Sequence, residues 1–213
     1  MNLSFWEYKT WLTNVDFTIV GSGIVGLNCA LQLRKQHPTA KIIILEKGIL
    51  PQGASTKNAG FACFGSLSEI LDDLNTHSEE EVVNLVKRRC NGLQLLRETL
   101  GDATIDYQAL GGYELFTNQD TELYETCLEK KEQINQLLFP VFHGNVFREV
   151  PNTFQFQQIQ SQYIFNAFEG QIDTGNMMNA LLKKVLSNNI QILNSVTVDG
   201  FSESGNAVHI NTN

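Results

Sequence analysis

Short apolar runs and helically spaced apolar residues follow one another in the first part of the chain. Residues 17–20 form an apolar run that suits a strand buried on both faces. A mostly apolar helical pattern comes next and stops at His37-Pro38, because the residue before a proline disfavours the helical backbone. Residues 41–46 then form a second buried strand. A strand, a helix and a strand in this order predict a βαβ unit with a parallel pair of strands.

The rest of the chain mixes helical periods with short strand-like patterns. The helical periods predict three further helices, which cover residues 78–101, 120–138 and 175–187. Strand-like patterns occupy much of the remainder, at 104–117 around a break at Gly111-Gly112, and at 190–193, 195–201 and 206–212. This mixture predicts an α/β fold.

Composition and charge narrow the classes of function. The 213 residues are 42% hydrophobic and carry a formal net charge of −8. They contain no stripe of lysine and arginine, which argues against binding nucleic acid or anionic membrane surfaces. No apolar run approaches the ~20 residues of a membrane span, and the first residues do not resemble a signal peptide. We therefore expect a soluble, cytoplasmic protein.

The four cysteines, at positions 29, 63, 90 and 127, have no CxxC spacing and no histidine at ligand intervals. This pattern predicts neither a metal site nor a disulfide framework. Free thiols in a reducing compartment are expected, and we interpret Cys63 as a small buried apolar residue.

A glycine-rich turn joins the first predicted strand to the first predicted helix. The turn reads GSGIVG, which is the pattern G-x-G-x-x-G. In this context Gly21 permits the tight turn, Gly23 lets the backbone approach a pyrophosphate, and Gly26 lets the helix pack on the strand. Ser22 and Ile24 lie between these glycines, where the helix N-terminus offers N–H groups and a partial positive charge. The turn therefore predicts a site for the phosphates of a dinucleotide.

An acidic residue, Glu46, ends the second predicted strand, about 20 residues after the last glycine of the turn. A carboxylate in this position accepts hydrogen bonds from the ribose hydroxyls of an adenosine and repels a 2′-phosphate. The pattern disfavours NADP and leaves NAD and FAD open.

Two shifts of composition, near residues 75 and 168, indicate how the chain is divided. We interpret them as the ends of an α+β segment inserted into a nucleotide-binding frame. The prediction is a discontinuous Rossmann-like domain at 1–75 and 169–213, with part of a substrate-binding domain at 76–168.

The stretch after the second predicted strand distinguishes between NAD and FAD as the dinucleotide. An NAD-binding unit would normally continue into another helix and strand, whereas residues 53–66 read GASTKNAGFACFGS. Small side chains let the backbone approach a flat ligand or its phosphates. The hydroxyl and amide groups of Ser55, Thr56 and Asn58 can bond to phosphate and ring-edge acceptors. The stretch therefore favours FAD.

Four segments resemble the FAD-dependent amine and amino-acid oxidoreductases of the D-amino-acid oxidase superfamily, which includes glycine oxidase and sarcosine oxidase. They are VGSGIVGL at 20–27, LEKG at 45–48, GASTKNAG at 53–60 and EGQID at 169–173. GASTKNAG is similar to the family signature GASxxNxG, which passes the pyrophosphate and the isoalloxazine ring. The resemblance implies a backbone contact to the adenine at Val196 and extends the cofactor-binding set to Lys47, Ala59 and Gly60.

The resemblance also implies a reaction. It is oxidation of the C–N bond of an amino acid or amine by hydride transfer to N5 of the flavin, with oxygen or a quinone as electron acceptor. No residue has the pattern of an obligatory catalytic base. An NAD-dependent Rossmann dehydrogenase and a non-catalytic fragment are the alternatives.

The length of the chain differs from that of the family. Its members are normally much longer than 213 residues and continue beyond the segment that matches residues 208–210. We therefore expect a C-terminally truncated piece of the fold, which is not an efficient enzyme by itself.

Overall fold

The computed structural model describes residues 3–213, which divide into two compact units. The first unit comprises the described residues up to Ala59 together with Thr174–Asn213, and the second comprises Gly60–Asp173. The predicted domains have the same discontinuous order, but the compact units divide at 59/60 and 173/174 rather than at 75/76 and 168/169. The functions assigned to the domains stay predictions, and residues 1 and 2 lie outside the described residues.

Both units contain helices and strands. In chain order the elements are α1 (Phe5–Glu7), a π-helical segment (Tyr8–Leu12), β1 (Phe17–Val20), α2 (Ile24–Gln36), β2 (Ile42–Glu46), β3 (Phe61–Ala62), α3 (Leu67–Thr76), α4 (Glu79–Leu100), α5 (Asp102–Ile105), β4 (Gly112–Glu114), α6 (Thr121–Phe142), β5 (Phe147–Pro151), β6 (Gln162–Asn166), β7 (Gly170–Gln171), α7 (Thr174–Ser187), β8 (Gln191–Asn194), β9 (Val198–Ser204) and β10 (Ala207–Thr212).

A parallel sheet with the strand order β1-β2-β8 forms the centre of the first unit. All five residues of the central strand β2 are buried, as expected for an apolar run inside a parallel sheet. Helix α2 packs against β1, β2 and α7, and α7 also packs against β8. The predicted βαβ unit is therefore confirmed as β1–α2–β2. Strands β9 and β10 form an antiparallel pair in the same unit.

An antiparallel sheet with the order β4-β6-β5 lies in the second unit. Helices α3, α4 and α6 pack against one another, and α6 also packs against β5. Apolar side chains of the helices and strands share one buried cluster, which includes Leu67, Ile70, Val86, Ile134, Leu138, Phe147 and Ile164. The short strands β3 and β7 form a separate antiparallel pair.

The second unit corrects the predicted strand over 104–117. Helix α5 occupies the start of this stretch, and only Gly112–Glu114 pairs with β6. Gly111 precedes the strand with φ +78°, and a side chain there would collide with the ring of Phe165. The strand-like stretch is therefore interrupted at Gly111, within the Gly111-Gly112 pair where the sequence predicts a break. Helix α3, which the helical pattern did not predict, begins at a capping box formed by Ser66 and Glu69.

The structure also tests the expectations about the cysteines, metal binding and membrane spans. The four cysteines are free, but Cys63 is exposed and the prediction of a buried residue was wrong. It follows β3, where Phe61 is exposed and Ala62 is buried, so that the alternation of a strand points Cys63 outward. Within residues 3–213 no cluster of three acidic, histidine or cysteine side chains is placed to bind a metal ion. None of the helices described combines the length and the apolar character needed to span a bilayer.

Candidate functional site

The turn between β1 and α2 depends on two glycines. Gly21 has φ +93°, a backbone conformation that favours glycine, and its N–H donates to the Leu45 carbonyl at 2.8 Å. A side chain on Gly26 would collide with the carbonyl oxygen of Gly21. The first turn of α2 therefore lies directly against the end of β1, which is the close packing that the G-x-G-x-x-G pattern predicts.

The N-terminus of α2 has a capping group from a distant loop. An α-helix leaves its first N–H groups without partners inside the helix. Gly23 occupies the N-cap position and has no side chain to cap them. The Ser55 hydroxyl accepts a hydrogen bond of 2.9 Å from the N–H of Ile24 instead. The N–H groups of Val25 and Gly26 are left available to a ligand.

Glu46 ends β2 as a buried carboxylate that is 6% exposed. Its Oε2 accepts hydrogen bonds from the backbone N–H and the hydroxyl of Ser22, at 2.9 and 2.7 Å. Its Oε1 accepts a third from the N–H of Gly48, at 2.9 Å. Burial raises the pKa of Glu46, but these hydrogen bonds and the nearby Lys47 ammonium outweigh it, so the pKa lies below its usual value. The carboxylate is therefore ionised and fixed at neutral pH.

The segment after β8 lies against the same end of β2. The N–H of Val196 donates to the backbone carbonyl of Glu46 at 2.9 Å, and the N–H of Ser195 donates to the carbonyl of Gly48 at 3.0 Å. The Val196 side chain is buried with Ile43 and Leu45. The backbone around Val196 is thus held beside the candidate ribose-binding carboxylate.

Side chains of residues 53–59, the small-residue loop, form hydrogen bonds that hold its backbone in place. The Thr56 hydroxyl donates to the carbonyls of Pro51 and Gly53, both at 3.0 Å. The Asn58 amide donates to the carbonyls of Ala54 and Ser55, and its oxygen accepts from the Thr174 hydroxyl at 2.9 Å. The loop therefore has a defined shape even though Thr56 and Asn58 are exposed.

The first unit brings together most of the residues predicted to bind the cofactor. The members that it contains are Gly21, Ser22, Gly23, Ile24, Gly26, Glu46, Lys47, Ser55, Thr56, Asn58, Ala59 and Val196. Gly60 belongs to the second unit. The prediction missed Gly48 and Thr174, which bond to Glu46 and Asn58. Gly48 had a signal in the sequence, since it follows the acidic residue closely in LEKG.

Comparison with solved structures identifies known structures that share this fold. L-Amino acid deaminase from Proteus myxofaciens superposes with a TM-score of 0.66 and 18% identity over 94% of this chain and 42% of that one. Glycine oxidase from Geobacillus kaustophilus superposes with a TM-score of 0.66 and 19% identity, over 92% of this chain and 51% of the oxidase. Iminodiacetate oxidase from Chelativorans sp. BNC1 superposes with a TM-score of 0.65 and 16% identity, over 92% of this chain and 50% of the oxidase. The chain thus spans about half the length of the structures that share its fold.

A family model adds a match in sequence. No curated protein sequence matches the chain. The model described as FAD dependent oxidoreductase (DAO) matches residues 16–213. This match confirms the predicted resemblance and the Rossmann-like α/β fold class, and it favours FAD over NAD. Because the match covers nearly the whole chain, the protein belongs to the FAD dependent oxidoreductase family, whose cofactor is FAD.

Proposed function

We propose that the chain binds the adenosine diphosphate part of FAD in an oxidoreductase that oxidises the C–N bond of an amino acid or amine. The observation that carries this proposal is the 2.9 Å hydrogen bond between the Ile24 N–H and the Ser55 hydroxyl. It joins the glycine turn to the small-residue loop, the two segments assigned to phosphate binding. Both segments therefore lie side by side in one compact unit, as a single dinucleotide site requires.

The residues at the turn fit the phosphates and the ribose of FAD. The N–H groups of Val25 and Gly26, at the positive end of α2, suit the oxygens of a pyrophosphate. Gly23 lets the Ser55 hydroxyl approach the backbone of the turn closely. The ionised Glu46 suits ribose hydroxyls and disfavours a 2′-phosphate.

Three further residues have narrower proposed roles. The Thr56 hydroxyl and the Asn58 amide N–H groups donate to backbone carbonyls of residues 51–55, so we assign both residues to the shape of this segment. The Val196 N–H already donates to Glu46, so a backbone contact to the adenine would use the Val196 carbonyl.

When bound, FAD would supply the two-electron oxidant for the C–N bond. The first unit would bind and orient the dinucleotide, and Gly60–Asp173 would form part of the substrate-binding domain. The names of the neighbouring structures, an amino acid deaminase, a glycine oxidase and an iminodiacetate oxidase, support an amino acid or amine as the substrate class. Since the chain spans about half of their length, we propose that these 213 residues bind FAD without efficient turnover.

Titration of FAD into the purified chain tests the proposal, with the absorption spectrum and fluorescence of the flavin as readouts. We expect saturable binding that NAD does not displace. Glu46→Ala should weaken binding by about tenfold or more, because a charged hydrogen-bond acceptor is lost. Glu203→Ala, at an exposed glutamate of β9, is the matched control. A folded chain that binds no FAD, or that binds NAD in preference, would overturn the proposal.

A further inference from the structure

Ser22 occupies an unusual place in the glycine turn. It lies between Gly21 and Gly23, where its backbone would be expected to face the phosphates of a dinucleotide. The residue is nevertheless fully buried, and both of its donors, the N–H and the hydroxyl, reach Oε2 of Glu46. Ser22 therefore contacts the acidic residue of the site and offers no side-chain group to solvent.

The hydrogen bonds that Glu46 accepts leave one position of its carboxylate open to a further donor. An ionised carboxylate has about four acceptor positions, two on each oxygen. Ser22 fills both positions of Oε2, and the N–H of Gly48 fills one position of Oε1. The remaining acceptor position is on Oε1. A donor that approaches Glu46 therefore meets one oxygen of a carboxylate that is clamped from two sides.

The hydroxyl of Ser22 contributes to this clamp separately from its backbone. If the side chain were alanine, the N–H of Ser22 would still bond to Oε2 and the N–H of Gly48 to Oε1, but Oε2 would be held by one hydrogen bond in place of two. The hydroxyl bond, at 2.7 Å, is the shortest of the three that the carboxylate accepts. Charge-assisted hydrogen bonds of this kind are stronger than neutral ones.

We propose that Ser22 is a positioning residue, whose hydroxyl fixes the Glu46 carboxylate so that Oε1 receives a ribose hydroxyl of the adenosine diphosphate moiety. The inference rests on the proposed function, because it assumes that the chain binds an adenine dinucleotide. It assigns Ser22 a role that acts through Glu46, in place of direct contact with the cofactor.

A change in the pH dependence of binding would mark this role. The Ser22 hydroxyl stabilises the ionised form of Glu46, so its removal should raise the pKa of that carboxyl. Lys47, the charged neighbour that also lowers the pKa of Glu46, is unchanged in the variant. Replacing a serine with only a structural role would not change the pH at which the affinity for the ligand falls on the acid side.

The experiment is titration of the 213-residue chain with ADP, 2′-deoxy-ADP and 3′-deoxy-ADP by calorimetry between pH 4 and 8. We expect Ser22→Ala to weaken ADP by about three- to tenfold at pH 7, which is the loss of one hydrogen bond. The loss of ADP affinity at low pH should also begin at a higher pH in Ser22→Ala than in the wild type. The effect should be smaller for at least one deoxynucleotide, because the ribose donor is already missing. Ser202→Ala, at an exposed serine of β9, is the matched control.

The outcomes separate this inference from the proposed function. Wild-type protein that binds neither ADP nor FAD would overturn both. Wild-type binding with an unchanged Ser22→Ala affinity and pH profile would overturn this inference alone. Tighter binding by Ser22→Ala would do so as well, since it would show that the serine competes with the ribose. Ser22→Gly, which also lacks the hydroxyl and keeps the N–H, replaces Ser22→Ala if circular dichroism shows that variant to be unfolded.

Discussion

The Ser55 hydroxyl accepts a hydrogen bond of 2.9 Å from the N–H of Ile24, although the two residues are 31 positions apart in the chain. Gly23, the N-cap residue, has no side chain, and a Cβ placed on it would lie 3.1 Å from the Ser55 oxygen. The absence of a side chain at Gly23 and the presence of a hydroxyl at Ser55 are therefore two parts of one arrangement. The loop supplies the cap that the glycine turn lacks.

Ser55→Ala should destabilise the ligand-free protein, because the N–H of Ile24 then loses its acceptor. Loss of an N-terminal cap costs about 1 kcal/mol, and for a chain of this size this lowers the melting temperature by about 2–4 °C. Thermal unfolding followed by circular dichroism measures the change. Ser202→Ala, at a serine that is exposed on β9, is the control variant. Equal melting temperatures for the two variants would contradict the capping role.

Gly26→Ala and Gly92→Ala should have opposite effects on stability. A Cβ on Gly26 collides with the Gly21 carbonyl oxygen, whereas a Cβ on Gly92, inside α4, meets nothing within 4 Å. We expect Gly26→Ala to destabilise the fold by more than about 2 kcal/mol. Gly92→Ala should stabilise it by about 0.5–1 kcal/mol, because alanine favours the helix. Urea unfolding of both variants measures the difference, and a stable Gly26→Ala protein would contradict the packing described for the turn.

The features that the sequence predicted well are local. The glycine turn and its flanking strands are adjacent in the chain, so the βαβ unit could be deduced from periodicity and glycine spacing. Helix α4 was similarly predictable, because Ser78 and Glu81 form a capping box at its start and Gly101 lies at its end. In each case the residues that decide the structure lie within a few positions of one another.

The features that the sequence did not predict depend on residues that meet only in the folded chain. The Ser22 hydroxyl and Glu46 are 24 positions apart, and nothing in their spacing shows that they bond to each other. Gly111 lies against the ring of Phe165, which comes from another strand, and nothing in the local sequence shows that contact. Such contacts require knowledge of the tertiary arrangement, and local propensity does not contain it.

Cys127 should be protected from thiol reagents in the native protein. It is fully buried, and this burial raises the pKa of its thiol to about 12, so the reactive thiolate is scarce at neutral pH. We expect a maleimide or disulfide reagent to label the exposed Cys29 and to spare Cys127 until the protein is unfolded. Mass spectrometry of the labelled peptides measures each site. Native labelling of Cys127 at the rate of Cys29 would show that this part of the second unit opens readily.

Glu169 is a half-buried residue of the second unit. Burial raises its pKa, and the nearby carboxylates of Glu69 and Glu114 raise it further. Hydrogen bonds from the N–H groups of Phe64 and Gly65 oppose this rise without cancelling it. A carboxyl whose pKa is higher in the folded than in the unfolded state stabilises the fold at a pH below its unfolded pKa. That contribution is lost as the pH rises through the folded value.

Glu169→Gln removes this titration and keeps an oxygen that can accept from Phe64 and Gly65. Between pH 4 and pH 7, the stability of the variant should therefore rise relative to that of the wild type. Melting temperatures of both proteins at the two pH values measure the change. Glu203→Gln, on the exposed β9 strand, is the control and should show no comparable gain. A difference between Glu169→Gln and wild type that is constant with pH would show that Glu169 titrates alike in the folded and unfolded chains, and a relative stability of the variant that falls between pH 4 and pH 7 would show that folding lowers the pKa of Glu169.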